Sequence, residues 1–116
     1  METELQLFKA EFFKALGHPL RIRILELLAE GEKNVNELVA LLGVESSSVS
    51  QQLAVLRNKN IVSFTKEGNK VTYALRDPLV ADLLLIARKI FNNHLISTIH
   101  VLKGLHDEDT DEASLT

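Results

Sequence analysis

The spacing of apolar residues predicts three short helices in the first third of the chain. Residues 5–16 and 19–29 each carry a stripe of large apolar side chains at helical spacing, and a glycine follows each segment. A third helix is expected near residues 36–42, after a short extended piece around Val35, and either Asn34 or Asn36 could cap it. Asn34 and Glu37 have the spacing of a capping box, in which each side chain bonds the other residue's backbone N–H at a helix start.

The fourth predicted helix, residues 45–60, has a polar face without the long charged side chains of an ordinary solvated surface. Val49, Leu53 and Leu56 form its apolar stripe. The opposite side carries Ser47, Gln51, Ala54 and Asn58. Small hydroxyls allow close approach to another surface, glutamine can bond an adenine edge, and a helix start favours a phosphate. An N-cap followed by a plain polar surface fits the same residues, and this helix alone does not decide between the two readings.

After residue 60 the apolar period changes from helical to alternating, which predicts two β-strands. Gly68 and Asn69 between them fit a two-residue type II′ turn, which needs glycine first. Two short helices joined by a glycine-containing turn, followed by such a hairpin, form a winged helix-turn-helix. Lys66 and Lys70 flank the hairpin tip, and a cationic wing commonly lies on phosphates. Two separate elements therefore favour a nucleic-acid surface.

Asp77 followed by Pro78 marks the start of a last helix, which we expect to reach about Lys103. Such a helix would be ~39 Å long, and its apolar positions exceed one stripe. This surplus, like that of the first helix, predicts a homodimer formed through the first and last helices. We expect residues 105–116, which are acidic, to be disordered. Residues 1–104 then form one winged helix-turn-helix domain, mainly α with a small β-hairpin, in the order α-α-(short β)-α-α-β-β-α.

Composition describes a soluble globular chain, with 46% hydrophobic and 25% charged residues among 116. No apolar run reaches the ~18 residues of a membrane span, so no membrane partner is expected and the cytoplasm is the expected location. The chain has no cysteine, which excludes disulfides, thiolate metal sites and cysteine nucleophiles.

The net charge of −3 looks unfavourable for a nucleic-acid binder, but the charge is unevenly distributed. Residues 14–76 hold nine lysines and arginines against six glutamates, whereas residues 77–116 hold three against seven acidic residues. Between residues 46 and 76 there are five cations and one acid. The basic region thus coincides with the fourth helix and the hairpin.

Three sequence stretches resemble the ArsR/SmtB family of bacterial winged-helix repressors, and the similarity extends over about residues 5–103. They read FKALGHPLRIRILELL, NVNELVALLGVESSSVSQQLAVLRNKNIV and EGNKVTYALRD. The resemblance implies a homodimeric repressor that binds double-stranded DNA at an inverted-repeat operator and is released by a small effector.

The same resemblance implies which residues contact DNA. It places the serines and glutamines of the fourth helix against bases and phosphates, Arg57 as a support or phosphate contact, and three residues in the wing. The candidate DNA-binding residues are Ser46, Ser47, Ser48, Ser50, Gln51, Gln52, Arg57, Lys66, Asn69 and Lys70.

The metal positions of the family are not filled in this chain. Residues 35–37 read Val-Asn-Glu where many members carry a Cys-x-Cys pair, and residues 77–79 lack the histidine of an Asp-x-His pair. His94 and His100 are six residues apart, about 240° around a helix, so they cannot share one intrahelical site. A site built between subunits from either histidine stays open. We therefore predict no metal and no cofactor, and the sequence does not identify the effector.

The alternatives to a DNA-binding repressor are a protein-interaction module and an enzyme. A winged-helix module that binds protein through its polar helix is the alternative, and the local basic region argues against it. An enzyme with Ser47 or Ser50 as nucleophile lacks a histidine or acid in recognisable relation to either serine. We therefore expect no enzymatic activity.

Overall fold

The computed structural model describes residues 2–113, and the side chains of residues 3–105. Its elements are α1 (Glu2–Leu16), α2 (Pro19–Ala29), β1 (Lys33–Asn34), α3 (Val35–Leu42), α4 (Ser46–Asn58), β2 (Val62–Glu67), β3 (Lys70–Leu75) and α5 (Leu79–Ala113). This order is the predicted one, so the mainly helical winged helix-turn-helix class is confirmed. The described residues form two compact units, one ending at Asp82 and one beginning at Leu83.

Local signals in the sequence set the ends of the short helices. The predicted capping box begins α3: the Asn34 side chain accepts from the Glu37 N–H at 2.8 Å, and the Glu37 carboxylate accepts from the Asn34 N–H at 3.0 Å. Gly43 ends α3 with a φ of +68°, in the left-handed region that favours glycine. The chain can therefore turn sharply from α3 into α4.

The wing is a two-stranded hairpin extended to three strands by β1. The strand order is β1-β3-β2, all antiparallel, with Phe64 opposite Tyr73 and Glu67 opposite Lys70. Gly68 has a φ of +61°, and the only non-glycine with positive φ in the described part of the chain is Asn60. Of the two turn residues, Gly68 has a positive φ and Asn69 does not, which matches the predicted type II′ turn. The short extended piece predicted around Val35 lies slightly earlier, as β1 at Lys33–Asn34, which pairs with β3, and Val35 is already the first residue of α3.

The hydrophobic core lies among α2, α3, α4 and the start of the wing. Its fully buried side chains come from each of these elements: Ile24, Leu25, Leu38, Val49, Leu53, Leu56, Ile61 and Val62. The predicted apolar stripe of α4 is thus entirely within the core. The opposite side of α4 must therefore face outward, because a helix side chain cannot reach both sides.

The last helix is longer than predicted. We expected it to end near Lys103, but α5 continues to Ala113. The disorder expected of residues 105–116 stays a prediction. No proline follows Gly104 in the sequence, and a single glycine inside a helix costs only about 1 kcal/mol. The backbone hydrogen bonds therefore continue past it. Residues 114–116 lie outside the described residues, and the domain boundary at 104 stays a prediction.

The start of α5 agrees with its predicted cap, since the Asp77 carboxylate accepts from the Leu79 N–H at 2.9 Å.

Within the part of the chain that the structure describes, no helix is both long and apolar enough to cross a membrane.

The variant Leu53→Ala is expected to lower the free energy of unfolding by ~2–5 kcal/mol, because truncating a fully buried leucine leaves a cavity. Urea denaturation followed by circular dichroism measures this. Leu41→Ala is the matched control: Leu41 is 56% exposed, so its loss should stay below about 0.5 kcal/mol. Equal losses in the two variants would contradict the burial of the α4 stripe.

Candidate nucleic-acid interface

The outer face of α4, defined by Ser47, Gln51, Ala54 and Asn58, is exposed along its whole length. It is directed away from the core because Val49, Leu53 and Leu56 occupy the opposite side. No side chain longer than glutamine stands on it. The face is therefore a smooth polar surface that can lie close against another molecule.

The serines at the start of α4 do not cap the helix. Glu45 occupies the N-cap position and its side chain makes no capping bond. The Glu45 carbonyl accepts from the N–H groups of Ser48 and Val49. The N–H groups of the preceding two residues, Ser46 and Ser47, have no acceptor within the helix. The reading in which these serines serve as an N-cap is therefore wrong, and the helix start keeps donors suited to an anion.

Most of the predicted site residues lie on exposed surface. Those on α4 or the wing that are exposed are Ser46, Ser47, Ser50, Gln51, Arg57, Lys66, Asn69 and Lys70. Ser48 and Gln52 are half-buried and lie outside the outer face. The structure therefore brings eight of the ten side chains to the surface and turns two toward the protein.

Gln52 differs from its neighbour Gln51 in having a partner inside the protein. Its side-chain carbonyl accepts a hydrogen bond from Arg21 Nη1 at 3.0 Å. The Nε–H of the same arginine donates to the Ala15 carbonyl at 2.6 Å. Sequence reasoning did not identify Arg21 as part of this region. The available signal was an arginine next to the buried side of α2, within the HPLR stretch.

Arg57 connects the end of α4 to the wing. Its guanidinium carbon lies 5.1 Å from the centre of the Phe64 ring, which itself lies 6.0 Å from the ring of Tyr73. An arginine over an aromatic face is attracted by the ring's negative quadrupole. The predicted supporting role of Arg57 therefore has a definite partner, Phe64, that the sequence did not indicate.

The two wing lysines lie on opposite faces of the hairpin. In the strand register Lys66 pairs with Val71, two positions from the Phe64–Tyr73 pair, and therefore shares the face nearest Arg57. Lys70 pairs with Glu67 on the other face. A surface cavity of about 440 Å³ lies beside Lys70, lined also by Asn34, Val35, Asn36, Asn69 and Val71. Only Lys66 thus extends the Arg57 side of the surface.

One cation of the basic region is already paired. Lys59 Nζ lies 3.3 Å from a carboxylate oxygen of Glu11 in α1, with both side chains about half exposed. Such a surface pair contributes little to stability. It does offset one of the five positive charges between residues 46 and 76.

The described residues contain no group of three histidine, aspartate or glutamate side chains placed to hold a metal ion. His94 and His100 are both exposed on α5. Their spacing, six residues apart, excludes one shared site within the helix.

A model of the family described as "Bacterial regulatory protein, arsR family" matches residues 18–63. This segment runs from the residue before α2 to the start of β2, and so contains α3 and α4. The match thus falls on the elements that carry the outer face.

Solved and curated relatives resemble a larger part of the chain. Over 107 residues it is 48% identical to the HTH-type transcriptional regulator Rv0081 of Mycobacterium tuberculosis, covering 90% of this chain and 94% of the relative. The crystal structure of Rv0081 matches with a TM-score of 0.75 and 47% identity, over 82% of this chain and 96% of that chain.

Two further relatives carry more specific descriptions. One is the homodimeric winged helix-turn-helix DNA-binding domain of Mb0332 from Mycobacterium bovis, with a TM-score of 0.74 and 29% identity over 81% of this chain and 87% of that chain. The other is the biofilm growth-associated repressor of Agrobacterium fabrum, 38% identical over 82 residues, covering 71% of this chain and 70% of the relative.

Proposed function

This chain belongs to the ArsR family of winged helix-turn-helix DNA-binding transcriptional regulators, and from that premise we propose that it acts as a homodimeric repressor of an inverted-repeat operator, released by a small effector. The observation that carries the proposal is the exposed outer face of α4, which is free of long charged side chains and ends at an uncapped helix start.

The proposed DNA contacts divide into two groups. Gln51 reads a base edge in the major groove, where a glutamine can bond an adenine bidentately. Ser46, Ser47 and Ser50, with the backbone N–H groups beside them, position the helix on the phosphates. Arg57, Lys66, Asn69 and Lys70 contact the backbone at the end of α4 and along both faces of the wing. Ser48 and Gln52 support α4 from inside.

The proposed dimer is supported by apolar surface that the single chain leaves exposed. On α1 the exposed side chains include Leu5, Leu7 and Phe8, and on α5 they include Ile90 and Phe91. Large exposed apolar side chains in this number are typical of an association site. A two-fold dimer would place the two α4 helices on half-sites about one DNA turn, ~34 Å, apart. The homodimeric relative from M. bovis is consistent with this arrangement.

The repressor proposal is tested by selecting the preferred sequence from random duplexes and measuring its affinity by fluorescence anisotropy. We expect an inverted repeat, two chains bound per duplex, and an affinity that falls roughly 10³-fold or more between 50 and 200 mM salt. A scrambled duplex is the control. Equal, weak binding to both duplexes would contradict sequence-specific recognition, and salt-insensitive association with protein instead of DNA would support the interaction-module alternative.

Gln51→Ala is expected to relax the preference at one base pair in each half-site, with a loss of ~1–3 kcal/mol per half-site on the selected duplex. The physical reason is the loss of the bonds that distinguish one base edge from another. Glu26→Ala in α2 truncates an exposed side chain of the same length, outside α4, the wing and the proposed dimer helices, and should leave the preference intact. An unchanged preference in Gln51→Ala would show that the proposed docking is wrong.

Lys70→Ala is expected to weaken binding to all duplexes alike and to reduce the salt slope by about one per chain, hence by about two for the dimer, because it removes a phosphate contact and not a base contact from each subunit. Titrations at several salt concentrations on selected and scrambled duplexes measure both effects. Arg23→Ala is the control, since Arg23 is an exposed cation on α2, outside α4, the wing and the proposed dimer helices. A sequence-dependent loss in Lys70→Ala would contradict its assignment.

A further inference from the structure

Arg21 joins α1 to α4, although it belongs to neither helix. From its place in the first turns of α2 it donates through Nε to the Ala15 carbonyl at 2.6 Å and through Nη1 to the Gln52 side chain at 3.0 Å. It is half-buried, so these bonds are partly shielded from water. One side chain therefore contacts two other helices at once.

A second contact joins the same sides of the same two helices. Lys59, just after α4, pairs with Glu11 of α1 at 3.3 Å. Gln52 and Lys59 are seven residues apart, about two helical turns, and so share one side of α4. Glu11 and Ala15 are four residues apart and share one side of α1. This contact side of α4 is distinct from its outer face.

The chemistry at the α1 end requires an arginine. Ala15 lies in the last turn of α1, where carbonyl groups lack an intrahelical donor and a positive charge is favoured by the helix dipole. The guanidinium is planar, always charged, and holds its Nε and Nη donors in fixed relative positions. Bonds to Ala15 and Gln52 from this one rigid group fix the distance between the end of α1 and the middle of α4. A lysine has a single nitrogen on a flexible stem and cannot do so.

We propose that Arg21 is a specificity-determining positioning residue, which holds the DNA-reading helix α4 at a fixed position relative to α1. This inference rests on the proposed function, in which α1 contributes to the dimer and α4 reads DNA. If α1 is fixed in the dimer and Arg21 fixes α4 to α1, the separation and orientation of the two α4 helices are fixed as well. Arg21 then determines how strictly the protein requires one spacing between half-sites, without touching DNA.

The test measures spacing discrimination in the Arg21→Met variant of the full chain. Methionine keeps an unbranched apolar stem but removes both hydrogen bonds. Dissociation constants are measured for the selected operator and for duplexes with one base pair inserted or deleted between the half-sites, which changes their separation by about 3.4 Å. We expect the wild-type preference for the selected spacing to fall roughly tenfold in the variant. Base preference within a half-site and the salt slope should stay unchanged.

Three further variants isolate the cause. Arg23→Met removes an exposed arginine from the same helix and should keep the wild-type spacing preference. Arg21→Lys keeps the charge but not the planar fork and should restore only part of the preference. Gln52→Met removes the acceptor on α4 alone and should reproduce the loss. If Arg21→Met does not fold, Gln52→Met gives the decisive comparison.

Each outcome has a defined meaning. A preference that is unchanged in Gln52→Met and in folded Arg21→Met, even with a lower melting temperature, would overturn the proposal and leave Arg21 as a stability residue. A salt slope reduced by about one per chain, hence by about two for the dimer, would overturn it in favour of a direct phosphate contact. If the wild-type chain binds no duplex in a sequence-dependent way, the proposed function fails and this inference with it. If the wild-type chain prefers one spacing and folded Arg21→Met keeps that preference, only this inference is overturned and the proposed function stands.

Discussion

Burial of the apolar stripe of α4 is the constraint on which the rest of the surface depends. Val49, Leu53 and Leu56 are fully enclosed by the core around α2, α3 and the start of the wing. Because helix side chains three and four residues apart share one side, this burial also determines which residues face outward. The outer face is therefore a consequence of packing, and it would be lost if α4 rotated by even one residue, about 100°.

Two kinds of long-range polar contact complete the placement of α4. At its end, Arg57 lies over Phe64 and connects α4 to the wing. On another side, Arg21 and the Lys59–Glu11 pair connect it to α1. The cation–π contact and the surface ion pair are each worth little alone, but with the two hydrogen bonds of Arg21 they restrain α4 from two directions. The overall charge of −3 matters less for DNA binding than this local arrangement of cations.

The elements of the fold could be predicted because the signals that specify them are local. The range of α2, the capping box of Asn34 with Glu37 and the turn at Gly68 are each determined by a few adjacent residues. Backbone hydrogen bonding and the restricted φ of non-glycine residues act over such short distances. The helical spacing of the apolar residues in α4 then predicts which side of the helix is buried, and therefore that Ser47 and Gln51 are exposed.

The sequence alone therefore determined the element order, the winged helix-turn-helix class and the outward-facing polar helix. Only the tertiary structure decided that Gln52 bonds Arg21 and that Arg57 lies over Phe64. Gln52 and Arg21 are 31 residues apart, so no local period relates them. Such contacts depend on how whole elements pack, and a pattern of neighbouring residues carries no information about the distance between side chains that the fold brings together.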